Sequence, residues 1–229
     1  MNIVSSIQMI CIAAIPLIFA ITLHEAAHGW IASKCGDNTA QMLGRVTLNP
    51  IKHIDLLGTI ILPILMLLFS GFIFGWAKPV PVNWRNLHHR RRDMALVAIA
   101  GPAANFLMAL LWAIIAKLNY LFLGKLPSQS FFTSPALFIH LTATFGILIN
   151  CVLMVLNLIP IPPLDGSRVV ASLLPPKLVV LYGKIEPFGI WILLLLLVFG
   201  VLGYVLWPPI TYLINQIKFL FSLPSIGPF

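Results

Sequence analysis

The stretch ITLHEAAHGW, Ile21 to Trp30, closes an apolar run from Met9 to Leu23 that contains no charged residue. His24, Glu25 and His28 therefore stand where lipid is the expected solvent. An ionisable side chain at bilayer depth costs roughly 2.5 kcal/mol or more on insertion scales, so it is retained mainly where it has a function. Any fold available to this chain has to gather these three polar groups in a place that stabilises them.

The surrounding composition makes the lipid setting firm. Of 229 residues, 60% are hydrophobic and 9% charged, with a mean hydropathy of +1.01. Such a chain belongs in a membrane. No stretch is long or polar enough for a second folded module, so one integral-membrane domain over residues 1–229 is expected. Its core covers about 4–183, with C-terminal helices over about 184–229. The first apolar run leads into His24-Glu25 rather than a small-residue cleavage site, and reads as a retained helix. Cys11, Cys35 and Cys151 are too few and too scattered for a disulfide framework and read as small buried hydrophobes.

The net charge of +8 does not call for nucleic acid. Lys34, Arg45, Lys52, Lys78, Arg85, Arg90, Arg91, Arg92, Arg168, Lys177 and Lys184 all fall in the polar gaps of two regions, which is the asymmetry of cytoplasmic loops. Its distribution predicts a multi-pass membrane protein with the HEAAH motif toward the cytoplasmic side.

Along the chain, a first helix is expected from about Val4 to Lys34, with a kink at Pro16. Arg45 to Leu48 reads as a short strand, and the alternating prolines of WAKPVPVNW require extended backbone. Between them, the apolar segment Leu56 to Trp76 either spans or re-enters, because the basic residues on both of its sides demand an even number of crossings. Further helices are expected from about Asp93 to Leu118, from Pro135 to Leu158, and as a span from Gly189 to Trp207 closed by Pro208-Pro209. A short tail over Ile210 to Leu223 follows, to be read either as a final short helix or as a segment lying in the interface. The expected fold is an all-α polytopic membrane protein of about five to six membrane helices. A small membrane-associated or re-entrant β element lies between the first helix and the GPAAN helix.

In HEAAH, the two histidines are four residues apart and project from one helix face, so both imidazoles reach a single ion. Glu25, one step round, can deprotonate a water on that ion; this is the zinc-hydrolase motif. A catalytic zinc site needs a third protein ligand. Asp37, Asp55, Asp93 and Glu186 lie in loops or at helix starts beside basic residues. Asp165 stands apart, just after prolines that break a membrane helix, at the end expected to match the depth of the histidines. A cap on the following helix is the alternative use for it. Asn105 and Asn157 are polar groups within membrane helices that need partners; Asn157, upstream of Asp165, can also donate to a substrate carbonyl. His53, His88, His89 and His140 read as interfacial or packing residues.

The motif HEAAH, the stretches GRVTLNP and GWAKPVPVN, AGPAAN, and NLIPIPPLDG together resemble the site-2 proteases, the intramembrane zinc metalloproteases, in their short bacterial form without a PDZ domain. The resemblance covers most of Leu23 to Val169. It implies one zinc ion held by His24, His28 and Asp165, Glu25 as general base, and Asn157 near the scissile bond. It also implies a bacterial plasma-membrane setting, and as substrate a transmembrane segment of another membrane protein, cleaved at the cytoplasmic side of the membrane. A strand edge at Arg45–Leu48 or Val80–Asn83 would receive an unwound substrate. The main rival is a transporter or channel with an intramembrane His/Glu ion path. It predicts ionisable residues spread along a route, whereas this chain concentrates them in HEAAH and one aspartate.

Overall fold

The computed structural model describes residues 3–61, 78–124 and 133–224. Helix α1 runs over Ile3–Lys34 with Pro16 inside it, followed by a short α2 at Thr39–Met42, a 3-10 turn at Pro50–His53 and a π turn at Leu56–Ile61. Then come α3 at Arg90–Leu123, α4 at Thr133–Asn157, α5 at Asp165–Leu173 and α6 at Pro176–Gly183. The chain closes with α7 at Gly189–Val198 and α8 at Val201–Leu220. Among the described residues, four segments are long and apolar enough to cross a membrane: Gln8–Lys34, Arg90–Leu123, Ser134–Asn157 and Pro176–Val198.

Helices α1, α3 and α4 form the centre of the bundle, with α5 against α3 and α8 against α4. Cross-helix contacts give the directions. His28 meets Val97 and Ala20 meets Asn105, so α1 and α3 are antiparallel. Asn105 meets Asn150 and Asn119 meets Ala136, so α3 and α4 are antiparallel too, and α4 runs parallel to α1. The α3–α4–α8 core is built from Ala109, Ala113, Ala116, Ala143 and Ile147, with Trp112 and Ile210 filling the larger spaces. Small residues let membrane helices approach closely, since lipid supplies no hydrophobic drive between them. Large apolar side chains such as Ile10, Phe19, Leu107 and Leu118 point outward, as a lipid solvent permits.

Two expectations are corrected. No β-strand occurs among the described residues. Val46–Leu48 bends, because the Thr47 hydroxyl accepts from the Asn49 amide and the His53 ring bonds the Thr47 carbonyl. Residues 78–83 are irregular; Pro79 and Pro81 carry no N–H, and the one amide between them, Val80, is spent on Glu25. With the Asn83 amide also taken by Asp37, no strand forms over Val80–Asn83. The second correction concerns Gly189 to Trp207, which is two helices. Gly200, at φ +72°, takes the left-handed conformation that ends α7. Pro208 and Pro209 lie inside α8 rather than closing a span, where the Thr211 hydroxyl bonds the carbonyls of Trp207 and Pro208. Most of Leu56 to Trp76 lies outside the described residues. Of the cysteines, Cys35 and Cys151 are buried, while Cys11 faces outward.

Candidate metal centre

The antiparallel register of α1 and α3 lays His24 and His28 across the AGPAAN turn, and each ring is anchored through Nδ1. His28 Nδ1 donates to the Val97 carbonyl at 2.7 Å, and His24 Nδ1 to Asn105 Oδ1 at 2.6 Å. A backbone carbonyl can only accept, so the proton of neutral His28 sits on Nδ1 and its Nε2 carries a lone pair. His24 reaches the same state through Asn105, whose amide nitrogen donates to the Ala20 carbonyl and to Asn150 Oδ1, turning its oxygen toward the imidazole. Both histidines are buried.

Helix α4, parallel to α1, ends at Asn157, and a proline-rich turn then delivers Asp165 as the first residue of α5. Gly166 makes this crossing possible, since a Cβ there would lie 2.3 Å from the Leu158 carbonyl oxygen. Leu164, not Asp165, occupies the cap position of α5. The Asp165 carboxylate instead faces the histidines, with Oδ2 3.2 Å from His24 Nε2 and 3.3 Å from His28 Nε2.

The two Nε2 atoms are themselves 3.0 Å apart. Three acceptors thus converge with no hydrogen between them, and Asp165 Oδ2 is buried without a hydrogen-bond partner. A cation resolves this arrangement. Ligand atoms at corners of a tetrahedron about 2.0–2.1 Å from zinc are separated by about 3.3 Å, which the three distances match closely. Two neutral imidazoles and a carboxylate are also the donor set of catalytic zinc, with a corner left open. The floor is backbone: a Cβ on Gly101 would lie 2.4 Å from His28 Nε2 and 2.6 Å from His24 Nε2. Only glycine lets α3 approach this closely.

Glu25 is half-buried, and its Oε2 accepts the Val80 amide at 2.8 Å. Asn157 is not joined to the centre by a hydrogen bond among those observed; its amide nitrogen donates to the Leu153 carbonyl one turn back. The remaining acids are engaged elsewhere. Asp93 accepts the His89 amide at the start of α3, Glu186 pairs with Arg168, and Asp55 accepts the amides of Leu57 and Gly58. Asp37 accepts from Thr39, Asn83 and Asn86. His53 is buried against Thr47, and the His88 ring packs on Gly36. Sequence reasoning missed Asn150 and Gly101, and gave Asn105 no specific partner. The available signal was a polar residue in the apolar run of α4 and the small residue one turn before Asn105.

Comparison with known proteins agrees with this geometry. The profile of peptidase family M50 matches residues 12–199. YwhC of Bacillus subtilis is 39% identical over 208 residues, which cover 91% of this chain and 90% of that protein. Rip2 of Mycolicibacterium smegmatis is 29% identical over 182 residues, 79% of this chain, and Rip2 of Mycobacterium tuberculosis is 28% identical over 162 residues, 69% of it. All three carry the provisional name zinc metalloprotease. This chain spans 64% and 55% of the two Rip2 lengths. No solved structure matches it. Motif, helical bundle and family profile converge on one assignment: the chain belongs to peptidase family M50, the site-2 protease family of intramembrane zinc metalloproteases.

Proposed function

We infer that this chain hydrolyses peptide bonds within or near transmembrane segments of other membrane proteins, using one zinc ion held by His24, His28 and Asp165. The observation that carries the reading is the convergence of three buried acceptor atoms, each histidine having its Nδ1 proton turned away from the centre. Zinc in such a site supplies Lewis-acid activation of water and of the scissile carbonyl. Glu25, next to His24 on α1, takes the proton from the attacking water and returns one to the leaving amine. The Val80 amide fixes the orientation of that carboxylate. Asn157 contributes to the substrate side: one amide hydrogen is held by Leu153, and the other can meet a peptide carbonyl.

The reading extends to placement. Lys34 ends α1 and Arg90–Arg92 begin α3, so the antiparallel pair gathers positive charge at the end nearer the histidines. That favours an active site toward the cytoplasm; the match to YwhC of Bacillus subtilis along 91% of this chain supports a bacterial plasma-membrane protein folded as one domain. A transporter role is disfavoured by family membership and by the concentration of buried ionisable groups at one centre.

The experiment measures zinc content and cleavage of a single-span test substrate together. Glu25→Gln keeps zinc while hydrolysis falls by roughly 100-fold or more, and Asp165→Ala loses both. Wild-type cleavage by Glu25→Gln would overturn the mechanism.

A further inference from the structure

We propose that Asn105 and Asn150 form a directional amide relay that sets the protonation pattern of His24 and thereby the metal affinity of the centre; they are positioning residues. Resting on the zinc reading above, the inference adds residues outside the ligand set, one on each of two helices.

The relay starts from an atom that can only accept. The Gly146 carbonyl takes a hydrogen bond from the Asn150 side-chain nitrogen at 2.9 Å, which turns Asn150 Oδ1 toward α3. That oxygen accepts from the Asn105 side-chain nitrogen at 3.1 Å, and the Ala20 carbonyl accepts from the same nitrogen at 3.3 Å. Both anchors are backbone carbonyls, so neither amide can flip without setting oxygen against oxygen. Asn105 Oδ1 is left facing α1, where it accepts the His24 Nδ1 proton at 2.6 Å. The consequence is at the other ring nitrogen. His24 Nε2 must present its lone pair beside those of His28 and Asp165.

Burial gives the relay its force. Asn105 and Asn150 are both fully buried, where a polar group without a partner costs the whole of its desolvation. Water cannot substitute, so the amides hold one orientation. His28 needs no such device, because Val97 offers it a carbonyl directly. Next in the chain from Gly101, Pro102 withholds an N–H from α3, and Asn105 on the following turn serves His24. The AGPAAN motif thus acquires a division of labour: glycine for approach, asparagine for the tautomer.

Zinc affinity of the full chain, purified in detergent micelles, is measured by competition with a chromophoric chelator, alongside the absorption spectrum of the Co²⁺-loaded protein. Asn105→Leu, which removes the acceptor at similar volume, binds zinc about 10–100-fold more weakly and shifts the Co²⁺ bands. Asn150→Leu weakens zinc binding by a smaller factor, and it decides the matter if Asn105→Leu does not fold. Wild-type zinc affinity in Asn150→Leu or in folded Asn105→Leu would overturn the relay. A wild-type chain that takes up no zinc would instead remove the reading of the centre itself.

Discussion

Substituting Gly101 by alanine tests the closest approach in the centre. The added Cβ would lie 2.4 Å from His28 Nε2, 2.5 Å from His24 Cε1 and 2.6 Å from His24 Nε2. Non-bonded heavy atoms settle at about 3.5–4.0 Å, so both rings must retreat by about 1 Å. Metal–ligand distances tolerate only about 0.2 Å. The variant therefore separates stability from metal binding. Turning two histidines off their rotamers costs about 0.5–1.5 kcal/mol each, while replacing glycine in a helix interior returns about 1 kcal/mol. The metal-free fold is expected to lose no more than about 2 kcal/mol on that arithmetic. Zinc affinity is expected to fall by about 100-fold or more, at or beyond the upper end of what outer-shell substitutions do. Chelator competition reads the affinity, and circular dichroism during heating reads the fold. A Gly101→Ala protein with wild-type zinc affinity and wild-type cleavage would refute the account of how α3 shapes the centre.

Val80→Pro removes the single amide of the Pro79-Val80-Pro81 triplet, and with it the bond to Glu25. A hydrogen bond to a charged group contributes about 1.5–3 kcal/mol, so cleavage should slow by about 10- to 100-fold with zinc content unchanged; an unaltered rate would show that Glu25 does not depend on this segment. Asp37, just past α1, gives a pH prediction. Burial alone would raise its pKa, but hydrogen bonds from the Thr39 hydroxyl, the Asn86 amide and the backbone N–H groups of Asn83 and Thr39 outweigh that and hold the carboxyl below its usual range. With the folded value below the unfolded one, its stabilisation is complete above the ordinary carboxylate pKa and is lost as pH falls through the folded value. Thermal midpoints in detergent should decline in that acid window for the wild type and decline less for Asp37→Asn; parallel curves would refute the assignment.

Elements governed by local chemistry were legible in the sequence. The course of α1 follows from its apolar run, and the end of α4 at Asn157 follows from the prolines of NLIPIPP. Asp165 could be singled out as a candidate ligand because few acids stand beside broken membrane helices. The span proposed over Gly189 to Trp207 failed for a reason that hydropathy does not register: Gly200 supplies the left-handed residue that stops α7, whereas two prolines are accommodated within α8. The strands proposed at Arg45–Leu48 and Val80–Asn83 failed because side chains claimed their backbone groups. Glu25 took the Val80 amide, and His53 bonded the Thr47 carbonyl.

By itself, the sequence determined that two histidines share a helix face, that a glutamate stands beside them, and that all three lie in an apolar setting needing compensation. Helical periodicity and lipid solvation are properties of neighbouring residues, so they are written locally. Tertiary structure alone decided which nitrogen of each histidine is free, that Gly101 forms the floor, and that Asn150 steers Asn105. Those contacts join residues 45 to 81 positions apart, and the register in which α1, α3 and α4 meet is a property of packed helices that no local pattern encodes.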